Sequence, residues 1–182
     1  MPSIYFARHG QSVANAKGVI AGISDSQLTE KGIQQARNEA ARIHAEGIRF
    51  DMILSSPLSR AYDTAMVIAE VNGFSKEGII LVDDLREKAA GDFEGKPIHE
   101  LYDATREEIV QAGAESFDEF AARVRRANAE IAKYAIGITL VVGHAGFYRM
   151  AQAVAKELPP AEMVRIPKPD NSRLLEYPLA RW

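Results

Sequence analysis

The sequence predicts an α/β fold, a three-layer α/β/α sandwich with helices on both faces of a mostly parallel central sheet. Two observations carry that expectation. Short apolar runs alternate along the chain with longer stretches whose apolar residues recur at helical spacing, the pattern of strand–helix–strand units. The 182 residues are 47% hydrophobic and 26% charged, ordinary values for a globular protein. A chain of this length buries roughly 70% of its unfolded surface without staples, so a single domain over residues 1–182 is expected.

Ile4 to Ala7 form the first apolar run, and the loop behind it carries Arg8-His9-Gly10. Between Thr29 and Glu46, residues Ile33, Ala36, Ala40 and Ile43 recur at helical spacing, and Gly47 is placed to end that helix. Met52, Ile53 and Leu54 read as a buried strand. Ser56-Pro57 is expected to supply the cap and first-turn proline of a helix running to about Val71. Ile79 to Val82 is the next strand, and a helix from about Ile98 to Ala112 comes after it. The clearest helix runs from Phe117 to Ala135: Phe117, Phe120, Ala121, Val124, Ile131 and Ala135 share one face, and Ser116 with Glu119 makes a capping box. Ile138 to Val142 reads as strand, Phe147 to Leu158 as helix, and Leu174 to Tyr177 as a last strand.

With 22 basic and 25 acidic residues the net charge is −3, which argues against a nucleic-acid binder working by bulk charge. It leaves room for a small basic pocket. The lack of cysteine excludes disulfides, thiolate zinc sites and a catalytic thiol, and fits a reducing compartment. The N-terminal stretch has no basic segment followed by an apolar one, so no secretion signal is read. No apolar run approaches the ~20 residues of a membrane span. A cytoplasmic protein is expected, with no membrane and no nucleic-acid partner.

Ligands of open α/β sheets bind beyond the carboxyl ends of the strands, and the reactive residues collect there. Arg8 and His9 come after the first strand, and Arg60 sits in the opening turn of the helix after the second. Gly143-His144-Ala145-Gly146 come after the Ile138 strand, and Glu87 with its acidic neighbours after the Ile79 strand. Arginine is a permanently charged planar fork that fits phosphate, and a helix N-terminus adds free N–H groups and a positive dipole end. A neutral imidazole can attack phosphorus while a carboxylic acid protonates the departing oxygen. Two arginines, two histidines and a carboxylate in one crevice are suited to phosphoryl transfer without a metal. No HExxH-type pair is present to make a zinc site. Asp84, Asp92 and Glu94 are rivals of Glu87 for the acid, unless they are exposed loop charges. His44 and His99 read as structural or exposed. Arg123, Arg125 and Arg126 read as a solvated helix face, with a local structural role open to Arg123. Phe147, Tyr148 and Trp182 read as packing groups.

These residues stand in an ordered set of motifs. Arg8-His9-Gly10-Gln11-Ser12 with Asn15 comes first, then Leu28-Thr29-Glu30-Lys31-Gly32. Ser55-Ser56-Pro57-Leu58-Ser59-Arg60-Ala61 with Thr64-Ala65 is third, then Leu85-Arg86-Glu87 ahead of Gly91-Asp92-Phe93-Glu94-Gly95. Glu115-Ser116 with Arg123-Val124, and Gly143-His144 with Gly146, complete it. In this order, over nearly the whole chain, the set resembles branch 1 of the histidine phosphatase superfamily, also called phosphoglycerate mutase-like. An Arg-His-Gly tripeptide alone recurs by chance; the ordered set does not.

The resemblance implies that His9 is the nucleophile and becomes phosphohistidine. Arg8, Arg60 and His144 would grip the phosphoryl oxygens, with Gly10, Asn15 and Ala145 beside the substrate. Glu87 would protonate the leaving alcohol and then take a proton from the hydrolytic water. No cofactor and no metal are implied. The partners are a small phosphorylated substrate and inorganic phosphate as product, and the oligomeric state is left open. A helical, cap-like insertion is expected at about residues 96–115. Neutral His9 beside protonated His144 would titrate as a coupled pair, giving a bell-shaped rate profile between about pH 5 and 8.

Some positions depart from the family pattern. Ala145 stands where the family often has glycine, and Phe93 replaces a frequent tryptophan. Mutases usually carry an arginine directly after the acid and, two positions on, a tyrosine; here Lys88-Ala89-Ala90 come after Glu87. That favours phosphomonoester hydrolysis. A mutase-type phosphotransferase and a non-catalytic phospholigand-binding protein are the alternatives.

Overall fold

Four strands, β1 (Ser3–Arg8), β2 (Met52–Ser55), β3 (Ile80–Leu81) and β4 (Ile138–Gly143), run parallel in the computed structural model. A fifth, β5 (Leu174–Glu176), lies antiparallel to β1, giving the order β3-β2-β4-β1-β5. Residues 2–178 are described, so Trp182 lies outside them. The helices are α1 (Val13–Lys17), α2 (Glu30–Ala45), α3 (Ser59–Asn72), α4 (Ile98–Asp103), α5 (Arg106–Gln111), α6 (Phe117–Tyr134) and α7 (Ala145–Ala155).

Successive strand residues point to opposite faces, and here both faces are covered. Phe6, Leu54 and Val141 pack with Phe120, Val124, Ile131 and Met150 under α6 and α7. Ala7, Ile53, Leu140 and Val142 pack with Ile43, Ala61, Ala65 and Ile68 under α2 and α3. Double coverage explains why these strands read as continuous apolar runs and not as alternating ones. Each fully buried leucine or isoleucine in these layers contributes about 1.5–3 kcal/mol of hydrophobic stabilisation. The expected three-layer α/β sandwich is observed.

Helix ends obey local chemistry. The Thr29 hydroxyl accepts from Gly32 N–H to open α2, and Gly47, at φ 73°, takes the left-handed turn after its end. Ser116 and Glu119 form the expected box on α6. Two expectations need correction, and one element is unexpected. Ser56-Pro57 do not open α3, which starts at Ser59 after Leu58; the first free N–H is taken by Asp25 Oδ1, at 2.9 Å from Ser59 N. The single helix expected over Ile98–Ala112 is two, because Ala104 is extended and Thr105 makes its own capping box with Glu108. The short α1, capped by Ser12 and Asn15, offers too little length for periodicity to show. The α4–α5 pair lies over a small third cluster, in which Leu101, Ala104, Ile109 and Ala112 meet Ile20, Ala90 and Phe93.

Candidate active site

Strand register brings the two histidines together. Arg8 pairs with Gly143 across β1 and β4. The next residues, His9 and His144, therefore leave the sheet side by side, with ring centroids 5.2 Å apart. On the other side of β4, Ser55 of β2 pairs with Val142, which delivers Ser56 to His144: Ser56 Oγ lies 2.8 Å from His144 Nε2. Arg60 comes next, in the first turn of α3, and Glu87 reaches in from the irregular segment after β3.

His9 Nδ1 lies 2.6 Å from the Gly10 carbonyl. A carbonyl only accepts, so Nδ1 carries the proton and Nε2 keeps its lone pair. Burial holds the His9 imidazole down at about 3, and the charges of Arg60 and Arg8 push the same way. His144 is also held well below the ordinary histidine range, by burial first and then by Arg60, His9 and Arg8. Burial and the neighbouring charges thus favour neutral rings in the protein by itself, and the protonated His144 expected from sequence calls for an opposite charge in the site. A phosphoryl dianion between them would supply the opposite charge. His144 Nδ1 and Arg8 Nε are buried with no hydrogen-bond partner in the protein, and such groups cost about 1–3 kcal/mol each.

The two arginines are held from behind. Arg60 is 2% exposed. Its Nη1 donates to the Ser24 carbonyl at 2.9 Å, and Nη2 to the Gly22 carbonyl at 2.7 Å. That loop is itself latched by Glu94, whose carboxylate accepts from Ile23 N–H at 3.0 Å, from Ser24 N–H at 2.7 Å and from the Ser24 hydroxyl. Arg8 Nη1 donates to the Pro169 carbonyl at 3.0 Å.

Glu87 sits on the N-terminus of α7. Its Oε2 accepts from Gly146 N–H at 2.9 Å, and Oε1 from Phe147 N–H at 3.1 Å and Lys88 N–H at 2.9 Å. A carboxylate there meets orphan N–H groups and the positive end of the helix dipole. Gly146 leaves room for this close approach: a Cβ on it would meet the end of the Glu87 side chain. Of the rivals, Asp84 pairs with Arg126 at the surface, Asp92 is exposed and Glu94 is the loop latch. Glu87 is the carboxylate whose charge acts on both Arg8 and Arg60.

The remaining candidates take local roles. Gly10 donates its N–H to Thr64 Oγ1 at 3.0 Å while its carbonyl orients His9, and a Cβ on it would strike the Gly32 carbonyl. Asn15 is exposed, and its Oδ1 accepts from Ser12 N–H at 3.2 Å. Ala145 is buried as the first residue of α7. His44 and His99 are exposed, and Phe147 and Tyr148 are core residues, Tyr148 stacking on Phe6. Arg123 is no solvated residue: its guanidinium is largely buried and paired. Sequence reasoning missed Ser56 and Thr64 as supports. The signal that could have found Ser56 is register, since it is the first residue beyond a strand neighbouring β4. Among the described residues no three His, Cys, Asp or Glu side chains group to hold a metal ion, and no helix is long and apolar enough to cross a membrane.

Residues 4–178 match the family model of the histidine phosphatase superfamily, branch 1. The chain belongs to that superfamily. Among its curated relatives is a mutase: the chain is 42% identical over 92 residues to the 2,3-bisphosphoglycerate-dependent phosphoglycerate mutase of Methylobacterium sp. (strain 4-46), covering 50% of this chain and 44% of that one. The match thus spans less than half of that relative's length. Among solved structures, the mycobacterial glucosyl-3-phosphoglycerate phosphatase in complex with VO3 superposes with a TM-score of 0.80 at 26% identity, over 96% of this chain and 91% of that chain. A second, mycobacterial hydrolase 1, gives 0.79 at 27% identity over 95% and 89%.

Proposed function

We propose that this histidine phosphatase hydrolyses a small phosphomonoester without a metal, through a phosphohistidine. The observation that carries the reading is the placement of His9: buried beyond β1, its ring centroid 5.2 Å from that of His144, with Nδ1 held on the Gly10 carbonyl so that Nε2 keeps its lone pair. In the first half-reaction His9 Nε2 bonds to phosphorus and the P–O bond to the alcohol breaks. Glu87, as the carboxylic acid, gives its proton to the departing oxygen. In the second half a water attacks phosphorus, the carboxylate of Glu87 takes its proton, and the P–N electrons return to His9, releasing inorganic phosphate. Arg8, Arg60, His144 and Asn15 bear on the phosphoryl oxygens, where charge is spread in the transition state.

The residues next to the acid favour hydrolysis over transfer. The Lys88 ammonium lies over the Phe117 ring at 5.5 Å, and Ala90 is buried in the small apolar cluster with Ile20 and Phe93. Neither is the arginine or tyrosine that mutases carry. The mutase relative keeps phosphoryl transfer between hydroxyls as the second reading.

The test is hydrolysis of p-nitrophenyl phosphate in excess EDTA, by the native protein and by His9→Ala. Native turnover, with a loss of at least about 10³-fold in the variant, is expected. Retained activity in His9→Ala would sink the nucleophile assignment, and loss of native turnover in EDTA would sink the metal-free one. Interconversion of 2- and 3-phosphoglycerate faster than phosphate release would select the mutase reading.

A further inference from the structure

Arg123 lies on α6, away from the phosphoryl grip, and the proposed reaction makes no use of it. Its five N–H donors are nonetheless all engaged around one segment. Nη1 donates to the carbonyls of Asp84 at 2.9 Å and Arg86 at 2.8 Å, and Nη2 to the Glu87 carbonyl at 3.1 Å. Nε and Nη2 also form a two-pronged pair with Glu115, at 2.8 and 2.7 Å. Glu115 closes the frame from the other side: its carboxylate accepts from Ala89 N–H at 3.2 Å and its own N–H donates to the Ala89 carbonyl at 3.0 Å. Both side chains are only 14% exposed. The stretch Arg86–Ala90 belongs to no helix or strand, so no ladder of its own fixes the backbone that carries Glu87.

We propose that Arg123 and Glu115 are a positioning pair that holds the backbone under the proton donor, so that the Glu87 carboxyl meets the leaving oxygen. This rests on the reading of Glu87 as the general acid. The physical argument is one of tolerance. Proton transfer needs heavy atoms within hydrogen-bond reach, and a misplacement of about 1 Å can cost about 10²-fold. A fork with five fixed donors can hold three carbonyls and a carboxylate at once; a lysine ammonium cannot.

A displaced acid matters most when the leaving group needs a proton. The experiment therefore compares phenyl phosphate, a poor leaving group, with p-nitrophenyl phosphate, which departs readily as an anion, in the native protein, Arg123→Lys, Glu115→Gln and Glu87→Gln. The ratio of the two rates in one sample cancels the amount of folded enzyme. Arg123→Lys and Glu115→Gln are expected to lose about tenfold or more in the phenyl/p-nitrophenyl ratio, in the same direction as Glu87→Gln. Equal losses on both esters, or no loss, would overturn the positioning role. If Arg123→Lys yields no soluble protein, Glu115→Gln decides, since it keeps shape and volume. No preference in Glu87→Gln itself would instead sink the acid assignment, and a native protein inert on both esters would sink the phosphatase reading.

Discussion

His9 and His144 are the first residues beyond two adjacent parallel strands, whose register ends at Arg8 and Gly143, and they are buried to 4% and 0% exposure. Glu87 stands on a segment with no secondary structure, fastened by one arginine from below and by the first N–H groups of α7 from above. The two halves of the site are thus held by different physics. The phosphoryl half depends on sheet register, which cannot shift by one residue without turning the core inside out. The leaving-group half depends on a few polar contacts, each removable by one substitution. On the proposed reading, the histidine end of the sheet is the more rigid half, and the leaving-group side is the one that single substitutions alter.

The sharpest way to separate the halves is Gly146→Ala. The added Cβ would strike only the flexible end of Glu87, and alanine is the better helix former by about 1 kcal/mol. We expect an unchanged or slightly higher melting temperature with a loss of about 10²-fold in kcat on phenyl phosphate, and a smaller loss on p-nitrophenyl phosphate. A destabilised protein with proportional losses on both esters would show that Gly146 serves packing and not the acid.

The phosphoryl half has a signature of its own in acid. His9 is held at about 3 and His144 is lowered as well, against about 6.5 in an unfolded chain. As pH falls through about 6.5 the unfolded state takes up protons that the folded state refuses, so stability declines below that pH and is untouched by these groups above it. Melting temperatures measured from about pH 7 down to 4.5 should fall more steeply in the native protein than in a His9→Asn, His144→Gln double variant. Parallel curves would mean that the rings are not held neutral. The same shift moves the acid limb that His9 gives kcat/KM down toward its value of about 3, below the range in which sequence alone places the bell.

Legibility in the sequence divides along the same line. The strands are legible because burial on both faces leaves unbroken apolar runs such as Ile138–Val142. The residues at their ends, Arg8, His9, Arg60 and His144, are legible because ligand sites of such sheets lie there. Ser56 reads as a helix cap because a serine before a proline has that local habit; only the pairing of β2 with β4 turns its hydroxyl to His144. Arg123 looks like one charge in a solvated cluster, since its partners lie 8 to 39 positions away. Glu94 competes as an acid until the loop it latches is placed in three dimensions. Local propensity finds elements and strand ends; supports made by distant backbone carbonyls leave no local trace.

The smallest expected effect lies on α5, at a cavity whose lining includes neither histidine. Val110 is 64% exposed on α5 and, with Ile23, borders a cavity of about 1000 Å³ that Arg86 and Ala89 also line. Its exposure means that Val110→Asp should change folding free energy by no more than about 0.5 kcal/mol. If α4 and α5 are a cap that serves the alcohol side alone, the substitution removes contacts that substrate and transition state share equally. Such a loss raises KM and leaves kcat unchanged. We therefore expect a KM two- to several-fold higher (about 0.4–1 kcal/mol) for an ester with a bulky apolar alcohol such as naphthyl phosphate, and no change for p-nitrophenyl phosphate. A fall in kcat on both would place α5 in the chemistry itself, because only a contact strengthened in the transition state is lost in that way.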